Sequence, residues 1–174
     1  MSLQPLIRDE THEDVARIAI LTAAAFGPMS FSDGTEPAMI QGLRAAQDLT
    51  LSLVAEQDGD IVGHVAFSPA TIEGRHNGWF ALGPISVRPG LQRRGIGKAL
   101  ITEGLARLTK LGAAGCALIG DPGYYSAFGF RSDGHLTHQG LEPHFVQWLR
   151  LRPGPAPVGV LRFAKAFGPD PTAS

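Results

Sequence analysis

The stretch LGPISVRPGLQRRGIGK, from Leu82 to Lys98, decides the fold of this chain. It begins with the branched apolar residues of a buried strand, Pro89-Gly90 ends that strand, and apolar residues then recur at helical spacing. Gly95 and Gly97 therefore lie at a helix N-terminus, where unpaired backbone N–H groups attract an anion and glycine permits close approach. The stretch thus predicts a phosphate-binding turn between a strand and a helix.

Three kinds of phosphate loop compete for this turn, and the surrounding residues exclude two of them. A P-loop needs Lys and then Ser or Thr after its second glycine, but Ile96 and Gly97 follow Gly95. A dinucleotide-binding turn needs a third glycine where Leu100 stands. The pattern Gln-x-x-Gly-x-Gly from Gln92 instead resembles the acyl-CoA pyrophosphate loop of the GNAT superfamily of N-acetyltransferases. The alternative is a plain glycine-rich connection without a ligand.

A second motif follows the next buried strand, Gly115 to Ile119. This strand leads into GDPGYYSAFGF, residues 120–130. GNAT proteins commonly carry a tyrosine five residues before the phenylalanine of a Gly-Phe pair, and Tyr125 stands in that position relative to Phe130. The amino-acid sequence of this motif is similar to that of one bacterial subfamily of predicted acetyltransferases. The resemblance extends from about residue 3 to residue 167, with its specific motifs in the central third.

The resemblance implies an enzyme that transfers the acetyl group of acetyl-CoA directly to a primary amine in a ternary complex. Tyr125 would be the catalytic residue that protonates the departing CoA thiolate, because a phenol with an ordinary pKa near 10 keeps its proton at neutral pH. The alternative for Tyr125 is packing against Phe128 and Phe130. The residues expected to bind acetyl-CoA are Ile85, Ser86, Val87, Gln92, Arg93, Arg94, Gly95, Ile96, Gly97 and Lys98.

The sequence does not specify the general base that takes a proton from the amine. Many GNAT enzymes carry a glutamate on the strand that corresponds to Trp79–Val87, but this segment contains no carboxylate. Glu36, His64 and a chain of water molecules are the candidates. The missing glutamate also keeps a second function open, a non-catalytic acyl-CoA-binding sensor or interaction module.

The order of the expected elements indicates an α/β (α+β) fold in a single domain over residues 1–174. The elements are a strand, two helices, three strands, a helix, a strand, a helix and two strands. This order matches the GNAT fold, which implies a mixed twisted sheet with flanking helices whose fourth and fifth strands splay apart. Here those strands would be Trp79–Val87 and Gly115–Ile119, and the gap between them would receive the pantetheine arm.

Composition restricts the partners. The chain has 174 residues, a net charge of -1 and one cysteine, so neither nucleic-acid binding nor an internal disulfide is expected. His135, His138 and His144 are irregularly spaced, so no metal site is expected either. No segment has the pattern of a signal peptide or a membrane span. We therefore expect a cytoplasmic transferase, monomeric or homodimeric, whose acceptor is a small-molecule or peptide amine.

Overall fold

A computed structural model describes residues 4–29 and 32–168 of the chain. Contacts along the backbone divide these residues into two compact units. The first unit contains residues 4–29, 32–67 and 83–104, and the second contains residues 68–82 and 105–168. The expectation of one domain over residues 1–174 stays a prediction.

The described residues form nine strands and four α-helices. In chain order the strands are β1 (Leu6–Asp9), β2 (Leu51–Gln57), β3 (Asp60–Pro69), β4 (Thr71–Ile72), β5 (Trp79–Val87), β6 (Gly115–Ile119), β7 (Leu136–Thr137), β8 (Val146–Arg150) and β9 (Gly159–Arg162). The helices are α1 (Val15–Phe26), α2 (Glu36–Ala45), α3 (Ile96–Lys110) and α4 (Pro122–Tyr125). No helix within the described residues is both long and apolar enough to cross a membrane.

The first unit contains an antiparallel sheet in the order β1-β2-β3-β5, to which β5 contributes its second half. Just after β5, the backbone N–H of Arg88 donates to the carbonyl oxygen of Val62 on β3, at 2.8 Å. The β2–β3 turn has Asp58 and Gly59 at φ values of 52° and 82°, as a type I′ hairpin requires. Helices α1 and α2 pack on this sheet through a core cluster of Ile18, Leu21, Ile40, Val54 and Ile61.

Two glycines let α3 lie close to the sheet of the first unit. A Cβ atom on Gly63 of β3 would lie 2.8 Å from Cγ2 of Ile96, and one on Gly104 would collide with the ring of Phe67. Because real Cβ contacts are never that short, both positions need glycine for packing. The first turns of α3 are therefore fixed against β3.

The second unit contains the strand order β5-β6-β8. β6 pairs in parallel with β5 from Trp79↔Gly115 to Ala81↔Ala117, and it pairs antiparallel with β8 along its whole length. The parallel pairing stops at Ala81, in the middle of β5, as a splay of the two strands requires. The core cluster of this unit contains Ala70, Trp79, Ala81, Ala117, Leu136, Val146, Trp148 and Leu161.

The second unit also contains a small sheet, β4-β9-β7, that the sequence analysis did not anticipate. β9 pairs antiparallel with β4 and in parallel with β7. The carboxylate of Glu73 accepts a hydrogen bond from the N–H of Val160 at 3.2 Å, which ties β9 to the β4 turn. β4 and β7 have only two residues each, so neither shows the alternation of apolar side chains that predicts a strand.

Candidate active site

The segment Gln92–Gly97 joins β5 to α3 in the first unit. Along it φ is positive at Arg93 (64°) and at Gly95 (87°), but not at the residues between and beside them. Alternation of this kind turns successive backbone N–H groups toward one concavity, which is a geometry that binds anions. The unpaired N–H groups and the positive dipole end of α3 add to it. The loop therefore has a backbone geometry that suits an anion, and we call residues 92–97 the phosphate loop after the role that the sequence analysis expects.

The side chains around this loop supply positive charge. Arg93, Arg94 and Lys98 are all exposed, so each can reach a bound anion. Ile96 is buried and anchors the start of α3. The side chain of Gln92 reaches back toward the carbonyl oxygen of Val87, with Nε2 at 3.5 Å. These expected cofactor-binding residues therefore surround one turn of the first unit.

The second half of β5 leads directly into this loop. Ile85 and Val87 are half-buried, and Ser86 between them is buried with its Oγ unpartnered within the described residues. This short segment belongs to the strand that borders the gap in which the sequence analysis expects the pantetheine arm. It lies in the same unit as the phosphate loop.

Tyr125 lies in the second unit, at the end of α4. Asp121 starts this helix, because its carboxylate accepts a hydrogen bond from the N–H of Gly123 at 2.9 Å. The carbonyl oxygen of Asp121 accepts the N–H of Tyr125 at 3.1 Å. The phenol ring contacts Phe130 and Tyr124 edge-on, with ring centroids 6.0 and 4.9 Å away. Tyr125 thus packs against aromatic residues, which is the alternative that the sequence analysis gave beside the catalytic role.

Burial controls the protonation of Tyr125. It raises the pKa of the phenol to about 12, and the neighbouring groups of Tyr124, Cys116 and Asp121 add smaller effects in the same direction. The phenol therefore stays protonated at neutral pH and remains a hydrogen-bond donor. Cys116 is fully buried, and burial likewise raises the pKa of its thiol, so this residue is not an activated nucleophile.

Tyr125 packs on Gly120, which Gln147 binds in turn, and no sequence motif indicates either contact. A Cβ atom on Gly120 would lie 2.6 Å from Cε2 of Tyr125, so the phenol ring packs directly on the glycine backbone. Gln147 on β8 donates a hydrogen bond from Nε2 to the carbonyl oxygen of Gly120 at 2.9 Å. Contacts between residues 27 positions apart cannot be read from local sequence pattern.

The two side-chain candidates for the base have different environments in the first unit. His64 is fully buried, and its Nε2 lies 2.8 Å from Oγ of Ser52. Burial, with a smaller effect of the Arg44 charge, lowers the pKa of His64 to about 3. Glu36 accepts a hydrogen bond from the hydroxyl of Ser32 at 2.7 Å, and its second oxygen is unpartnered within the described residues. Burial thus keeps His64 from contact with an amine, and the unpartnered oxygen of Glu36 is buried as well, although Glu36 as a whole is only half-buried.

The histidines singled out in the sequence lie apart from any metal-binding group. Within residues 4–29 and 32–168, no three His, Cys, Asp or Glu side chains are grouped to hold a metal ion. His138 is buried with Nδ1 at 2.8 Å from the carbonyl oxygen of Leu161. His135 and His144 are exposed beside Asp133 and Glu142, at 3.5 and 3.4 Å.

Comparison with known proteins identifies the family. The model of the acetyltransferase (GNAT) family matches residues 18–130. The chain therefore belongs to the GNAT acetyltransferase family. Among curated proteins, the uncharacterized N-acetyltransferase YhbS of Escherichia coli K12 is 37% identical over 107 residues. That alignment covers 61% of this chain and 64% of YhbS, which is less than two thirds of its length.

Solved structures share the fold over nearly the whole chain. A GNAT family acetyltransferase from Brucella melitensis, in complex with acetyl-CoA, is 45% identical with a TM-score of 0.84, covering 94% of this chain and 97% of that one. YhbS from Escherichia coli, in complex with CoA, is 30% identical with a TM-score of 0.86, covering 96% and 93%. The GNAT fold that the sequence analysis expected is thereby confirmed, as a mixed α/β structure with a mixed sheet and flanking helices.

Proposed function

We propose that the chain is an acetyl-CoA-dependent N-acetyltransferase that acetylates a primary amine. The β5–α3 loop carries this proposal, because it combines alternating φ values with the exposed cations Arg93, Arg94 and Lys98. Membership of the GNAT family supports the same activity. The acetyl-CoA and CoA complexes of the two similar proteins support acetyl-CoA as the donor.

The first unit would bind the donor. Backbone N–H groups from Gln92 to Lys98 would donate to the pyrophosphate, and the three cations would offset its charge. Backbone groups of Ile85, Ser86 and Val87 would pair with the amides of pantetheine, much as a peptide adds to the edge of a sheet. Neither contact requires a particular side chain on β5, so the absence of a carboxylate there does not affect donor binding.

The transfer itself would proceed by direct attack in a ternary complex. The amine nitrogen forms a bond to the thioester carbon, the C–S bond breaks, the nitrogen loses a proton and CoA leaves as the thiolate. We propose that Tyr125 donates a hydrogen bond to the sulfur as its charge develops. Because burial raises the pKa of Tyr125 to about 12, complete proton transfer to a thiolate whose thiol has a pKa of about 8.5 is unfavourable. Tyr125 is therefore better suited to stabilise the thiolate by a hydrogen bond than to protonate it.

Glu36 is the better of the two side-chain candidates for accepting the amine proton. Glu36 is half-buried and its second carboxylate oxygen, although buried, has no hydrogen-bond partner within the described residues, whereas His64 is buried as a whole. A chain of water molecules could carry the proton from the amine to Glu36. Glu36→Gln would then lower turnover without changing the affinity for acetyl-CoA.

Release of free thiol from acetyl-CoA tests the proposal. The purified chain is incubated with acetyl-CoA and a panel of amines that includes small amines, amino acids, amino-sugar antibiotics and peptides. Amine-dependent thiol release, together with an acetylated product found by mass spectrometry, is the expected result. Calorimetric binding of acetyl-CoA with no thiol release across the panel would contradict it and would favour the acyl-CoA sensor, the function that the missing β5 carboxylate keeps open.

A further inference from the structure

We propose that Gln147 is a positioning residue that acts on Tyr125 through the backbone of Gly120. The inference rests on the proposed function, because it assigns Gln147 a part in the same acetyl transfer. All three residues lie in the second unit.

Gln147 ties the end of β6 to β8. It stands opposite Leu118 in the β6–β8 register and is 1% exposed. Its Nε2 donates to the carbonyl oxygen of Gly120 at 2.9 Å, and the N–H of Gly120 donates to the carbonyl oxygen of Phe145 at 3.1 Å. Both backbone polar groups of Gly120 are therefore bound to residues at or next to β8.

Gly120 in turn supports Tyr125 along two routes. The phenol ring lies on the glycine backbone, since a Cβ atom there would be 2.6 Å from Cε2 and 3.0 Å from Cδ2. The next residue, Asp121, accepts the N–H of Tyr125 and starts α4. A displacement of the Gly120 carbonyl would therefore move both the ring and the helix that bears it. Displacement of a catalytic group by about 1 Å can cost about 100-fold in rate.

The amide of Gln147 has a partner for its donor but none for its acceptor within the described residues. Oε1 of Gln147 is buried and has no hydrogen-bond partner within the described residues. A buried polar group without a partner is unfavourable, but an apolar side chain of similar size would leave the Gly120 carbonyl without this donor instead. Methionine fills a similar volume but cannot donate to the Gly120 carbonyl. Glutamine at position 147 therefore supplies the hydrogen-bond donor to the Gly120 carbonyl.

The first test measures Tyr125 without any assay of activity. The chain contains two tyrosines, so Tyr124→Phe leaves Tyr125 as the only phenol. In this background, Gln147→Met should loosen the Gly120 support, hydrate the phenol and lower its raised pKa toward the ordinary value of about 10. The absorbance of tyrosinate at about pH 11 should then rise clearly. Circular dichroism checks that the chain is folded. Gln147→Leu is the second variant and should give the same result.

The matched control is Val146→Ala in the same background. Val146 precedes Gln147 on β8, its side chain points to the other face of the sheet, and it belongs to the core cluster of this unit. The control should lower the melting temperature but leave the titration of the phenol unchanged. Identical titration curves with and without Gln147→Met would overturn the proposal.

The second test is a double-mutant cycle on turnover. Gln147→Met should lower kcat about tenfold in the wild-type background with KM for acetyl-CoA unchanged, and less than about twofold in a Tyr125→Phe background. Equal losses in the two backgrounds would contradict an action through Tyr125. If Tyr125→Phe alone kept wild-type turnover, the role of Tyr125 in the proposed function would fail, and the phenol titration would still decide the link to Gln147.

Discussion

At the scale of single residues, desolvation sets the protonation of Tyr125 and His64. Burial raises the pKa of Tyr125 to about 12 and lowers the pKa of His64 to about 3. The cause is the same in both, because an apolar environment disfavours the charged form. Both side chains are therefore neutral near pH 7: the phenol of Tyr125 keeps its proton, and the uncharged ring of His64 lies beside Ser52.

Tyr125→Phe tests the proposed donor directly. The substitution keeps the ring and its contacts with Phe130 and Tyr124 but removes the hydroxyl. Turnover should fall about 100-fold with KM for acetyl-CoA little changed, as expected when a hydrogen-bond donor to a developing charge is lost. Tyr124→Phe is the matched control and should retain most of the activity. The measurement is steady-state kinetics with an acceptor from the amine panel under conditions where chemistry limits turnover. Wild-type turnover in Tyr125→Phe would show that the phenol has a structural role and no catalytic one.

His64 makes the stability of the chain depend on pH. Its pKa is about 3 when folded and about 6.5 when unfolded, so below pH 6.5 the unfolded state binds a proton that the folded state does not. The free energy of unfolding should therefore be highest above pH 6.5 and fall by up to about 1.4 kcal/mol per pH unit as the pH drops toward 3. His64→Gln, which keeps a polar group for Ser52, should flatten this dependence.

Urea unfolding at several values between about pH 7 and pH 4 measures the effect. The matched control is His135→Gln, because His135 is exposed and its replacement should leave the slope unchanged. If wild type and His64→Gln lost stability equally over this range, the acid sensitivity would belong to other groups.

At the scale of elements, the sequence determines those that have a complete pattern and clear ends. β5 and β6 have the bounds that the sequence analysis expected, since glycine and proline flank apolar runs. β4 and β7 are too short to show a period, and their partner β9 is distant in sequence. The two-sheet arrangement of the second unit was for that reason not predictable.

In the candidate site too, residues that are contiguous in sequence were predictable and residues that only the fold brings together were not. The phosphate loop is contiguous, so its residues could be named from a motif, and the structure adds the alternation of φ at Arg93 and Gly95. The sequence left Glu36 and His64 equally open as bases, because burial of a strand histidine is a tertiary property. Gln147 was missed because its hydrogen bond to Gly120 depends on the β6–β8 register.

Gly97→Val tests the phosphate loop as an element. Gly97 lies in the first turn of α3 and does not have a positive φ, unlike Gly95, where a φ of 87° would strain any other residue. A side chain at Gly97 should therefore block the approach of the pyrophosphate while the fold is kept. Loss of one or two charge-assisted hydrogen bonds weakens binding of CoA at least about tenfold.

Calorimetric titration with CoA provides the measurement for this variant. Gly154→Ala is the control, since a Cβ atom there meets no other atom within 4 Å and its φ is not positive. The control should bind CoA like the wild type. Wild-type affinity in Gly97→Val, with the fold shown intact by circular dichroism, would show that the pyrophosphate does not bind at this turn.

At the scale of the whole molecule, ligand binding is linked to the stability of the folded chain. The phosphate loop lies in the first unit and Tyr125 lies in the second, while β5 and α3 each run through both. The expectation of a single domain predicts one unfolding transition for residues of both units. A ligand that binds only the folded chain should move that entire transition upward.

The last prediction uses this linkage to test the choice of nucleotide. The turn lacks the lysine of a P-loop, and Leu100 stands where a dinucleotide-binding turn has its third glycine. Acetyl-CoA at about 100 times its Kd should stabilise the chain by about 2.7 kcal/mol, which raises the Tm of a domain of this size by about 5–10 °C. ATP, NAD and FAD at the same concentration should produce much smaller shifts, because they cannot add pantetheine contacts along Ile85 to Val87. Differential scanning calorimetry measures these shifts, and Gly97→Val should lose the acetyl-CoA response. A larger shift with NAD than with acetyl-CoA would contradict the proposed donor, since the backbone geometry at Arg93 and Gly95 would then serve a different pyrophosphate ligand.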